Sequence, residues 1–167
     1  MLRILGAVFL VFAGAVLGAS KSDSLKARYA ACREIRELIV QISVLVRYRG
    51  LNVYEISHEL MISDRYKQLD FIKKLPSEYE PDTDFRVKWA EAVNSDSCIG
   101  DDEKKLLCSF GAGLGTSDIQ GQLMAVETVL EALRRIEDKR CEEYNRKGKL
   151  YRSLGMLFGV MTGILLI

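Results

Sequence analysis

The sequence predicts an all-α fold: a six-helix-type antiparallel bundle with N- and C-terminal transmembrane helices extending from its first and last long helices. Three observations carry that prediction. Apolar residues recur at steps of three and four along most of the chain, no stretch keeps the alternation of a half-buried strand, and Gly or Pro falls where one periodic segment gives way to the next. The ends are the least charged parts, since Leu2–Ala19 carries only Arg3 and Ser153–Ile167 has no charged side chain. The organisation expected is a transmembrane helix over 2–20, a cytoplasmic helical bundle over 21–152 and a second transmembrane helix over 153–167.

At the N-terminus the uncharged run from Ile4 to Ser20 rises about 25 Å, so a span here needs a slightly thinned bilayer or snorkelling by Arg3 and Lys21. The competing reading is a cleaved signal peptide with Leu17-Gly18-Ala19 at its processing point. Retention is favoured because amphipathic spacing starts soon afterwards and because the two ends carry matching small-residue faces. Gly14 and Gly18 form a G-x-x-x-G pair, and Gly155, Gly159 and Gly163 form two more. These five glycines are the candidate positions for helix packing in the membrane.

Between the ends, Leu25–Tyr48 places Leu25, Tyr29, Cys32, Ile35, Ile39, Ile42 and Val46 on one stripe, opposite most of Lys26, Arg33, Glu34, Arg36 and Glu37. Gly50 ends that helix. A second helix follows with Val53, Ile56, Leu60 and Met61, and a third is expected over Asp64–Leu75, with Tyr66, Leu69, Phe71 and Ile72 apolar and Pro76 as its stop. Pro81-Asp82-Thr83-Asp84 is a start signal for a fourth helix carrying Phe85, Val87, Trp89, Ala92 and Val93. Gly100-Asp101-Asp102-Glu103 opens a fifth, with Leu106, Leu107 and Phe110 ahead of Gly111.

The sixth helix starts at Ser117, which can cap Gln120 while Gln120 reaches back and Asp118 faces the positive end of the dipole. Its stripe is Ile119, Leu123, Val126, Leu130 and Leu133, and it runs on into the apolar C-terminal end with Gly148 as the expected place for a bend. Packed antiparallel to Leu25–Tyr48, it would stand the bundle on two membrane legs.

A chain of 167 residues suits one domain, and its formal charge of +1, from 24 Lys and Arg against 23 Asp and Glu, excludes a nucleic-acid partner on bulk electrostatics. Cys32, Cys98, Cys108 and Cys141 match neither paired zinc ligands nor a redox pair and are read as reduced thiols; a disulfide framework in an exported domain is the alternative. His58 stands alone, so no metal and no Ser/His/Asp or Cys/His set is expected. Gly111–Thr116 looks like a phosphate loop, yet it follows a helix and lacks the Gly-Lys-Ser/Thr step. A capped helix-to-helix turn accounts for it. No catalytic residue, cofactor or enzymatic activity is expected.

Basic residues set the orientation. Lys21, Lys26 and Arg28, with Arg146, Lys147, Lys149 and Arg152, flank the two ends on the bundle side, against Arg3 alone on the other. The bundle is therefore expected in the cytoplasm.

Phe110-Gly111-Ala112-Gly113-Leu114-Gly115-Thr116-Ser117-Asp118, with Gln122 four residues later, resembles the F-G-x-x-L-G-x-x-D-x-x-x-Q signature of the stage III sporulation protein AB family. The C-terminal Ser153–Ile167 and the N-terminal Leu5-Gly6-Ala7-Val8 are similar to that family as well. Where the family often has Tyr followed by Thr-Pro-Leu, this chain has Tyr48-Arg49-Gly50-Leu51-Asn52. The resemblance implies a component of the channel complex between mother cell and forespore, in the mother-cell membrane facing the forespore. It further implies a domain similar to the inner-membrane platforms of type II secretion and type IV pilus systems, which work with a cytoplasmic secretion-type ATPase.

The function expected is a non-enzymatic platform that binds that ATPase and other sporulation channel proteins, with homo-oligomers also open. Loops around Gly50, Pro76–Pro81 and Gly111–Gln122 are expected to gather at or near the membrane-distal end of the bundle, carrying Asp82, Asp84, Asp118 and Gln122 as candidate partner-binding residues. For Asp118 and Gln122 a capping or core-polar role is an equal reading. Phe110, Gly111, Leu114, Gly115 and Ser117 are the candidate structural motif. The alternative function is an exported helical adaptor with a cleaved signal peptide and a C-terminal membrane anchor.

Overall fold

The computed structural model describes residues 2–63, 65–79, 81, 83–115 and 119–166. It is all-α, with no strand among the described residues. Helix α1 (Leu2–Val44) passes through one π turn (Leu45–Arg49) to Gly50, whose φ of 59° needs a residue without a Cβ. Helices α2 (Val53–Ile62), α3 (Phe85–Ser95) and α4 (Asp101–Gly113) follow, and α5 (Ile119–Glu143) continues through a π turn (Tyr144–Gly148) into α6 (Lys149–Leu166). The wider winding thus falls where the sequence expects a bend, at Gly148.

With α5 and α6 continuous there are five separate helices among the described residues where the sequence predicts six. The expected helix over Asp64–Leu75 is replaced by a 3₁₀ turn, Asp70–Lys74. Two carboxylates from elsewhere explain this: the Gln68 N–H donates to Glu34 (2.8 Å) and the Phe71 N–H to Asp96 (3.0 Å). Those donors are lost to an α-ladder, and the backbone closes instead on i→i−3 bonds, Ile72 to Leu69 and Leu75 to Ile72.

The transmembrane part of the predicted fold is not found: among the described residues no helix is long and apolar enough to cross a membrane. At ~1.5 Å per residue the uncharged runs rise only about 25 Å (Ile4–Ser20) and about 21 Å (Ser153–Leu166), against ~30 Å of hydrocarbon.

The chain divides into two compact units, residues 1–29 with 139–167 and residues 30–138. In the first, the start of α1 lies antiparallel to the chain from Lys139 onward. Tyr29 stacks on Tyr144 (6.4 Å), Asp23 pairs with Arg152 (3.5 Å) and Gly18 meets Gly155. The glycine contact is backbone to backbone. A Cβ on Gly18 would lie 2.5 Å from the Tyr151 carbonyl oxygen, and one on Gly155 would lie 2.5 Å from that of Gly14. Phe9 (75% exposed), Phe12, Leu17, Phe158 and Ile164 face outward.

The second unit holds the core. Ile35, Leu38, Ile39 and Ile42 of α1 are buried with Ile56 and Leu60 of α2, Leu107 and Phe110 of α4, and Val126, Val129 and Leu133 of α5. The predicted stripes of α1 and α5 are therefore largely the core faces. Val87 is a miss, 54% exposed on α3. At the centre, Trp89 touches Phe71, Phe85 and Phe110 and donates its indole N–H to the Leu107 carbonyl (2.8 Å).

Candidate partner-binding end of the helical unit

The loops expected to gather do so within residues 30–138. Gly115 (φ 73°) sits beside Val53, since a Cβ there would lie 3.4 Å from the valine methyl. Tyr54 meets Tyr79 and Phe85 edge-on, at 5.7 and 5.5 Å, so the chain entering α3 returns to the start of α2. Asn52 fixes that start: its side chain accepts from the Tyr54 and Glu55 N–H groups while Glu55 accepts from Asn52, a capping box worth about 1 kcal/mol.

Of the four candidate partner-binding residues, Asp84 and Gln122 are described, and Asp82 and Asp118 lie outside the described residues, as does the motif residue Ser117. Asp84 is the N-cap of α3. It accepts from the Arg86 N–H (2.9 Å) and from the Arg86 guanidinium (2.9 and 3.1 Å), which holds its carboxyl below the usual carboxylate range. Its charge is thus committed to the helix start. Gln122 lines a crevice with Ile42, Val46, Phe110, Leu114 and Val126, of about 10 Å³, at the lower limit for one water. That crevice has no room for a small-molecule ligand.

Phe110, Gly111 and Leu114 of the motif are buried, and the Leu114 N–H returns to the Gly111 carbonyl. Gly111 lies against the Trp89 indole, where a Cβ would sit 2.6 Å from Cγ and nearer still to Cδ1 and Nε1. The motif therefore sets the close fit of α4 on α3 and the turn into α5. Among the glycines of the ends, Gly14 and Gly18 both meet Gly155, whereas what Gly159 and Gly163 touch lies outside the described residues.

The surface of this end is aromatic and basic as much as acidic. Tyr48 and Tyr79 are exposed, the Arg47 guanidinium lies 5.7 Å from the Tyr48 ring centre, and Arg49 pairs with Glu59 (2.9 Å). Sequence reasoning missed these because Tyr48 entered it only as the end of a helix and Tyr79 lies between periodic segments. Among the described residues no group of three His, Cys, Asp or Glu converges to hold a metal ion. Burial pushes the Cys108 thiol up from its ordinary value, away from the thiolate.

The model of the family described as stage III sporulation protein AB matches residues 3–167. No curated protein and no solved structure matches the chain.

Proposed function

Because the chain belongs to the stage III sporulation protein AB family, we propose that its role in sporulation is that of a non-enzymatic membrane platform in a secretion-like channel complex between mother cell and forespore. The helical unit docks a cytoplasmic secretion-type ATPase through its loop end. The paired apolar ends seat in the mother-cell membrane facing the forespore, with the helical unit in the cytoplasm.

The observation that carries this reading is the convergence of three loops at one end of residues 30–138, with Tyr48 and Tyr79 turned outward on a rigid, capped framework. Exposed aromatics beside arginine are the usual anchors of protein interfaces. The membrane seat is supported by the outward apolar side chains of the paired ends, Phe9, Phe12, Leu17, Phe158 and Ile164.

The test is binding of the purified full chain to the cytoplasmic ATPase, with Tyr48→Ala and with Asp82→Lys plus Asp84→Lys. Folding is followed in parallel because Asp84 caps α3. A tenfold or greater loss of affinity in folded variants supports the loop end as the dock. Unchanged binding in both removes it.

A further inference from the structure

A second surface of the same unit has no part in the loop end. Between α1 and α5 runs an open groove of about 590 Å³, with Val40 (43% exposed) and Leu130 along its floor. Four carboxylates line it, Glu127, Glu131, Glu137 and Asp138, against two arginines. Arg36 is already taken by Glu137 at 2.7 Å, while Glu127, Glu131 and Asp138 make no ion pair among the described residues. The groove is thus an apolar trough with an acidic rim.

The opposite chemistry lies elsewhere on the same unit. Ile62, at the end of α2, is 70% exposed, and the exposed Arg65, Lys67, Lys73 and Lys74 follow it, against the single described carboxylate of Asp70 in that stretch. Asp70 takes only Lys73, at 3.7 Å. Both surfaces sit at one level of α1. The groove contains Arg36 and Val40, and the basic segment is fastened at Glu34, which accepts the Gln68 N–H (2.8 Å).

We infer that the groove binds a second copy of this chain, Ile62 of one copy entering between Val40 and Leu130 of the next, with Arg65 and Lys67 against Glu127, Glu131 and Asp138. Two different faces meet, so the contact is heterologous and repeats around a ring or along a row. Because both faces share a level on α1, neighbouring copies stand side by side without slipping along the helix. Apolar contact supplies the holding energy, and the charge pattern fixes the register. The inference does not depend on the ATPase reading.

The test uses two tagged full-length copies made together in cells, with the native cysteines replaced, one carrying Val40→Cys and the other Ile62→Cys. Both positions are exposed, and circular dichroism checks that each variant folds. On oxidation the mixed disulfide is expected at least tenfold above that of a control pair, Val40→Cys with Val87→Cys on α3. Glu127→Lys with Glu131→Lys on the Val40 copy should abolish the adduct, and Arg65→Glu with Lys67→Glu on the Ile62 copy should restore it. An adduct no stronger than the control overturns the inference, as does one indifferent to the charge exchange.

Discussion

Replacing Gly111 by Ala asks how tightly α4 is fitted to α3. The added methyl would collide with the Trp89 indole, 2.6 Å from Cγ, in a core where Trp89 is 1% exposed. Overpacking of this kind costs about 1–3 kcal/mol. Displacing the indole also strands its N–H, now 2.8 Å from the Leu107 carbonyl, for about 1–3 kcal/mol more. Against this, Ala is favoured over Gly in a helix interior by about 1 kcal/mol. The net expectation is a loss of about 1–5 kcal/mol, centred near 3, or roughly 10 °C in Tm for a unit of this size. Trp89 is the sole tryptophan, so its fluorescence reports both unfolding and the indole's surroundings. Gly113→Ala is the control, because a Cβ there meets nothing within 4 Å and should leave stability equal or slightly raised. If Gly111→Ala melts with the parent and its emission does not shift to the red, the close fit does not exist and the reasoning fails.

Asp96→Ala leaves the Phe71 and Cys98 N–H groups without their acceptor, so urea unfolding should show a loss of about 2–5 kcal/mol, with faster hydrogen exchange at Phe71. Burial raises the Glu34 carboxyl above its ordinary value, more than the Gln68 N–H lowers it. A raised acid binds its proton more tightly when folded, so this group's contribution falls as pH rises from the unfolded value through the raised folded one. Glu34→Gln, which keeps an acceptor for Gln68, should flatten stability across that window in a pH series of thermal melts. In the paired ends, Gly155→Leu should separate the helices while residues 30–138 stay folded. With the native cysteines replaced, a bismaleimide of about 10 Å should cross-link cysteines placed at Asp23 and Arg152 readily in the parent and poorly in the variant, since an ion pair separates the two backbones by more than a disulfide spans. Equal yields would mean that the glycine contact does not hold the pair.

Much of the fold was legible because helix period and punctuation are local. The stripe from Cys32 to Val46 is the core face of α1, Gly50 closes its end, and Asp84 and Gly100 stand at the caps of α3 and α4. What was not legible depends on partners distant in sequence. Nothing in Asp64–Leu75 announces that Glu34 and Asp96 will take its backbone donors and turn an apparent helix into a 3₁₀ turn. The motif around Gly111 was readable as a turn, but its packing against Trp89, 22 positions earlier, was not. Gly14, Gly18 and Gly155 were found from spacing alone because a fixed interval puts small residues on one helix face. The acidic trough escaped for the opposite reason: α5 reads as one apolar stripe with a solvated back, and the chemistry arises only where that back borders Arg36 and Val40.

The π turn at Tyr144–Gly148 makes the length of that segment forgiving. A π turn takes about one residue more than an α turn for the same rotation, so it absorbs an extra residue with little change in the direction that later residues face. Removing one residue between Tyr144 and Gly148 would therefore restore ordinary winding and leave Gly155 turned toward Gly18. Removing one residue from the α-helical turns between Lys149 and Leu154 would instead swing Gly155 away by about 100°. A single-codon deletion should thus be tolerated in the π turn and damaging a few positions later.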